Sequence, residues 1–195
     1  MICEPDSQLI VRQGMEDRAA TIWETASQSH LNLDFRFNSQ PLAVAFTEEE
    51  TIGGSAWPNV IFDDDEFNYT FAIWGNCTLG LLSFWWHSNR QHQGRARITI
   101  RLAESLPVLD LRALSDEQHA TAEQIFDEFR NRELKPAYIA DADPNRAALD
   151  ELVMCDLLGF DKEVYEGVRR LAQKWCAEPS VHGGKPRPKG AKLVI

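Results

Sequence analysis

Positive charge is in short supply in this chain. Against 20 Lys and Arg stand 30 Asp and Glu, for a formal net charge of -10. Such a balance excludes indiscriminate coating of nucleic acid, which draws on clustered cations, and leaves room only for a local basic face. Cysteine is sparse too. The four thiols, Cys3, Cys77, Cys155 and Cys176, include no CxxC pair, so neither a zinc ribbon nor a dithiol redox site is expected. Three of them sit in apolar-patterned segments, where cysteine serves as a small buried hydrophobe. Long apolar runs are also missing. The longest, Phe71 to Trp86, falls short of the roughly 20 residues that span a bilayer and is interrupted by Gly75 and Asn76. Met1 to Gly14 has no apolar core of signal-peptide length. A soluble, cytoplasmic chain without membrane contact is expected, and the acceptor-like Asn76-Cys77-Thr78 is then a chance match.

Catalytic signatures are absent as well. There is no GxSxG elbow, P-loop, HExxH or glycine-rich dinucleotide loop, and the five histidines lack ligand spacing. The acidic run Asp63-Asp64-Asp65-Glu66 reads as the cap and first turn of a helix, since no second cluster completes a metal site. Cys77 reads as core rather than nucleophile. No metal, no cofactor and no enzymatic activity are expected of this chain alone.

The elements that are present predict an α+β fold of 195 residues, with mixed strands and a buried apolar helix first and about three helices last. Gln8 to Arg12 reads as a short edge strand and Met15 to Ala26 as an amphipathic helix. In HLNLDFRF, Leu31, Leu33, Phe35 and Phe37 alternate with polar residues, the clearest strand pattern in the chain. Leu42 to Phe46 and Trp57 to Phe62 are further strands, the latter at an edge because of Pro58. A helix from about Glu66 is broken at Gly75-Asn76, and another runs from Thr78 to about Asn89. Arg97 to Leu102 reads as a strand. Ser115 to Gln118 forms a capping box, Asp143-Pro144 opens the next helix and Gly159 closes it. Asp161 caps the last helix, with Val164, Val168, Leu171, Ala172 and Trp175 inward. The expected units are an α+β domain over 1–112, a helical part over 113–178 and a basic, flexible tail over 179–195.

The organising stretch is FAIWGNCTLGLLSFWW followed by HSNRQHQGRARITIR, which carries four arginines and no acid. A single strand would put Arg95, Arg97 and Arg101 on one face, where arginine is suited to reading guanine. Asn89, Gln91 or Gln93 would face adenine. Arg90 and the tail cations Lys185, Arg187 and Lys189 would contact phosphates and set register. The plain alternative is a solvated face paired with carboxylates. Trp74, Phe84, Trp85 and Trp86 cannot all face inward from one helix, so at least one meets a second interface.

The apolar helix with its central Asn76, the segment Gly94 to Ile100, Leu106-Pro107-Val108 and the helix opening at Ser115 together resemble the target-recognition region of N6-adenine DNA methyltransferases and restriction–modification specificity subunits. Residues 133–159 resemble the tail of large single-chain methyltransferases of defence systems. The resemblance covers about residues 66–160. It implies a DNA-binding recognition module of a restriction–modification or phage-defence system, with double-stranded DNA and a methyltransferase catalytic domain or subunit as partners. The family's catalytic Asn/Asp-Pro-Pro-aromatic motif is missing, since Asp143-Pro144-Asn145 lacks the second proline and the aromatic. The S-adenosylmethionine loop is missing too, so that cofactor would be bound by a partner or a further domain. A different expectation, from residue chemistry, is a protein-interaction module docking through its C-terminal helices and Trp85-Trp86.

Overall fold

A computed structural model describes residues 1–5 and 7–195. The class is α+β, as the strand and helix patterns predict. Helix α1 (Glu16–Trp23) is followed by β1 (Ser27–Leu31), β2 (Asp34–Arg36), β3 (Val44–Thr51) and β4 (Asn59–Val60). Then come α2 (Glu66–Asn76), α3 (Thr78–His87), β5 (Asn89–Arg90), β6 (Arg95–Arg97) and α4 (Ile100–Ala103). The chain ends in α5 (Asp116–Phe129), α6 (Pro144–Glu151), α7 (Lys162–Cys176) and α8 (Pro179–His182). Two antiparallel sheets form among the described residues, ordered β3-β1-β4 and β2-β6-β5.

The HLNLDFRF pattern spans both sheets. Leu31, Leu33, Phe35 and Phe37 all face the core, so the alternation holds. The backbone changes partner at Asn32-Leu33, however, dividing the expected single strand into β1 and β2. Leu33 bonds instead to Ala56 O, at 2.8 Å, and accepts from Ile98 N at 2.9 Å. Burial phase follows side-chain pattern, while strand assignment follows which neighbour the backbone meets.

Helix α2 stops at Gly75-Asn76 because the chain is pressed against β3 there. A Cβ on Gly75 would lie 2.3 Å from Val44 Cγ2. Asn76 uses its whole amide: Oδ1 accepts from the Ala43 and Val44 amides, and Nδ2 donates to Val44 O and Ala72 O. Cys77 offers no side-chain cap to α3. That role falls to Asp150 of α6, which accepts from Thr78 N and Thr78 Oγ1, both at 2.6 Å. A carboxylate at a helix N-terminus meets both the orphan N–H groups and the positive end of the dipole.

Asp150 is paired with Arg169 of α7 at 2.7 Å, and neither side chain is solvent-exposed. All five N–H donors of Arg169 are used, reaching Asp150, Thr78, Ala140 O, Asp141 O and Val194 O. This corrects the expected phase of α7. Its inward stripe is Tyr165, Arg169, Ala172, Trp175 and Cys176, whereas Val164 and Leu171 are about half-exposed. An arginine was not expected to face inward, because only a complete set of acceptors makes its burial tolerable.

Local signals fix the remaining helices. The Ser115–Gln118 capping box closes in both directions. Asp143 caps α6 through Asn145 N, with Pro144 at the first turn. The helix then loosens into a π-turn over Leu152–Leu157 and ends before Gly159 at φ 68°.

Four further expectations need correction. Gln8 to Arg12 forms no strand, since its backbone meets no sheet edge. The Arg97–Leu102 strand ends at Arg97, because Thr99 Oγ1 accepts from Leu102 N and opens the short helix α4. The division at 112/113 separates no cores: one apolar cluster runs from Met1 to Val181, with α5 against α2. The tail folds back rather than hanging free, with Arg187 bonded to both oxygens of Asp141 and Val194 N to Asp141 O.

Removing one side of the buried pair strands the other charge. Asp150→Ala and Arg169→Ala are each expected to lower stability by about 3–5 kcal/mol, read as an earlier urea midpoint. The double replacement Asp150→Leu/Arg169→Met is expected to lose clearly less than the two singles combined.

Candidate nucleic-acid interface

The cationic stretch after α3 folds into a small hairpin. β5 pairs with β6, and β6 pairs with β2 so that Arg36 lies opposite Arg95 and Asp34 opposite Arg97. Phe35 and Ala96, one residue out of phase, are buried in the core. The outer face therefore carries Asp34, Arg36, Arg95 and Arg97, with Asn89 opposite Arg97. Three arginines surround one carboxylate.

The hairpin tip is held from three directions. Gly94 O accepts from Phe37 N at 2.9 Å, and Gln93 O accepts from Asn38 Nδ2 at 2.7 Å. On the third side the tip touches α8 backbone to backbone. A Cβ on Gly94 would lie 2.5 Å from Val181 O, and one on Gly183 2.3 Å from the Gln93 carbonyl carbon. Gly94 and Gly183 also have φ of 71° and 56°, which glycine adopts without penalty. Gln93 adopts φ 64° without being glycine, a conformation that costs of order 1 kcal/mol and persists where surroundings impose it.

Between tip and α8 lies an open cleft of about 1390 Å³. It is lined by Arg36, Arg90, Arg95, Lys185, His92 and polar or small residues, and no acid is among its described lining residues. Arg90 lies with Cζ 4.8 Å from the Trp85 ring centroid, a cation–π contact. Trp85 Nε1 donates to Ser180 Oγ at 3.2 Å, so α3 is tied to α8 along the same rim. Lys185 Nζ is 6.0 Å from the Tyr138 ring.

The sequence-predicted residues thus separate into groups. Arg90, Arg95 and Lys185 line the cleft. Arg97 and Asn89 lie on the exposed sheet face beside it, whereas Arg101 is carried away on α4. Arg187 spends its guanidinium on Asp141, and Lys189 is exposed further along the tail. Arg36 was missed, although its polar phase in HLNLDFRF already marks it as outward-facing. Arg95 is bidentate to Asp34, whose carboxyl is held below its ordinary range by that hydrogen bond and by the nearby charges of Arg95, Arg36 and Arg97. Even so, cations outnumber acids across the face.

The cysteines form no comparable centre. Burial pushes the Cys77 and Cys176 thiols up to about 12, where almost no thiolate exists at neutral pH. Asp63 pairs with Arg112, and Asp64 Oδ1 accepts from Glu66 N, so the acidic run serves the start of α2.

Asp34 offers a direct probe of the cationic face. In Arg95→Ala its carboxyl is expected to titrate closer to 3.8, followed by NMR. The native pKa lies below the unfolded one. The associated stabilisation is therefore complete above about pH 4 and is lost as pH falls through the lowered value. For the thiols, Ellman's reagent at pH 8 is expected to reach the partly buried Cys3 and Cys155 in the native protein. Cys77 and Cys176 should react only on unfolding.

Comparison of the chain with protein-family models, with curated proteins and with solved structures found no match.

Proposed function

We propose that this chain is a DNA-binding target-recognition module that works beside a methyltransferase catalytic domain. The partner would bind S-adenosylmethionine and perform methyl transfer. The observation that carries this reading is the cleft, where four cationic side chains converge, without an acid among its described lining residues, on a chain of net charge -10. Phosphate contacts from Arg36, Arg90 and Lys185 would position a duplex. Arg97 and Asn89 stand beside them on the sheet face and are of the types that read guanine and adenine edges. Arg95, braced by Asp34, and Arg187, fixed to Asp141, serve chiefly to hold the framework.

A second reading, docking on a protein partner, is favoured by a surface other than the C-terminal helices. Helix α1 buries none of its side chains, and Leu9, Ile10, Val11, Met15, Ile22 and Trp23 are exposed on and before it. Exposed apolar area of that kind marks interaction surfaces. It is compatible with the first reading, since a recognition module must also meet its catalytic partner.

Duplex binding by fluorescence anisotropy across a salt series tests the proposal. The native chain is expected to bind with affinity that falls steeply with salt. Arg36→Ala/Arg90→Ala/Lys185→Ala should weaken binding at least about tenfold and flatten the log–log salt slope by about 2–3. Arg112→Ala, an exposed arginine paired with Asp63, should leave both unchanged. Absence of duplex binding at low salt would overturn the reading.

A further inference from the structure

Trp86 is left largely outside the core. It is 71% exposed at the end of α3, whereas Phe84 is buried and Trp85 half-buried. Its ring meets Trp85 edge-on, with centroids 6.0 Å apart. The Trp85 ring in turn carries the Arg90 guanidinium and bonds to Ser180, and both of those residues line the cationic cleft. A free indole therefore stands one ring beyond the rim of an anion-attracting groove.

Among the described residues no other exposed large apolar side chain comes from α3, and none lines the cleft. Next along the chain are His87, Ser88, Asn89 and Arg90. A lone exposed aromatic beside clustered cations matches what single-stranded nucleic acid requires. Cations track the phosphates while a ring face receives a base that has left its stack. The mount is also firm. Trp85 is tied to α8, which packs against the hairpin tip, so the ring that Trp86 meets edge-on is itself held in place.

We infer that Trp86 is a stacking platform for an unpaired base, and that the cleft takes a single-stranded or locally opened nucleic-acid segment rather than closed duplex alone. The inference rests on the reading of the cleft as a nucleic-acid site and names the form of the strand it prefers. An intact duplex keeps its base faces covered by neighbouring bases and presents only edges in its grooves. An indole can then contribute only where a base is free, in a single strand, at a bulge or at a strand opened by the catalytic partner.

The full chain is tested against three fluorescein-labelled probes: a twelve-residue oligothymidine, a closed duplex, and the same duplex with one unpaired thymine. Trp86→Ala is expected to weaken oligothymidine binding about tenfold, to weaken bulged-duplex binding similarly, and to change closed-duplex affinity less than about twofold. Trp86→Phe, which keeps a ring face, should recover most of the loss. Because the side chain is exposed, the urea midpoint of Trp86→Ala should match that of the native chain. Equal losses on closed duplex and single strand would overturn the inference, as would no loss on any probe. Either result leaves the nucleic-acid reading standing. Failure of the native chain to bind the closed duplex alone would overturn the duplex-recognition reading, and failure to bind any of the three would overturn the inference as well.

Discussion

The structure depends on a carboxylate and a guanidinium that water does not reach. Asp150 and Arg169 are both fully buried, and each alone would be prohibitively expensive to desolvate. Together they are tolerated because every donor has an acceptor. Arg169 gathers Thr78, Asp150, Ala140, Asp141 and Val194, while Asp150 caps α3. The segments joined this way lie far apart in sequence, so the pair acts as a register device. If α7 slid by one turn, a charge would lose its partners. Pairs of this kind add little net stability over apolar isosteres. Their effect is to penalise alternative arrangements.

Around that pair, two further polar contacts settle how the sheets meet the helices. Asn76 saturates its amide on β3 and α2, and Arg146 bonds to Asn76 O, Pro41 O and Lys135 O. The α2–α3 junction is thereby clamped to the first sheet and to the start of α6. Aromatic packing fills the space between: Phe37 meets Phe35, Phe84 and Trp175 edge-on, joining the second sheet to α3 and α7. The second sheet, which bears the cationic face, is thus seated on the same core as the buried pair.

What the sequence made legible follows how local each cause is. The capping box at Ser115, Asp143-Pro144, the break at Gly75-Asn76 and the burial of Leu31, Leu33, Phe35 and Phe37 depend on residues a few positions apart, and all appear in the structure. The missed features depend on distant partners. Nothing near Arg169 in sequence announces five acceptors, so the apolar Val164 and Leu171 were the natural choice for the core face. Thr99, an ordinary β-former, turned out to open α4 because the hairpin strand had already met its partners. Arg36 joins the cationic face through the pairing of β2 with β6, and α8 meets the hairpin tip through the close approach of Gly94 and Gly183 to backbone, neither of which periodicity encodes. Arg187 found Asp141 and left the set of available cations.

An acidic protein with a basic cleft is better placed to be selective than a uniformly basic one. Net repulsion from the remaining surface weakens contact with polyanions presented anywhere else, while the converging cations create an attractive field at the cleft. That field is useful only if its sources are fixed. Arg95 is fixed by Asp34, Arg90 by the Trp85 ring, and the tip carrying Gln93 by Phe37, Asn38 and α8. A side chain already held loses less entropy when a phosphate arrives. Pairing with Asp34 thus removes part of the charge of Arg95 and in return fixes where that guanidinium stands.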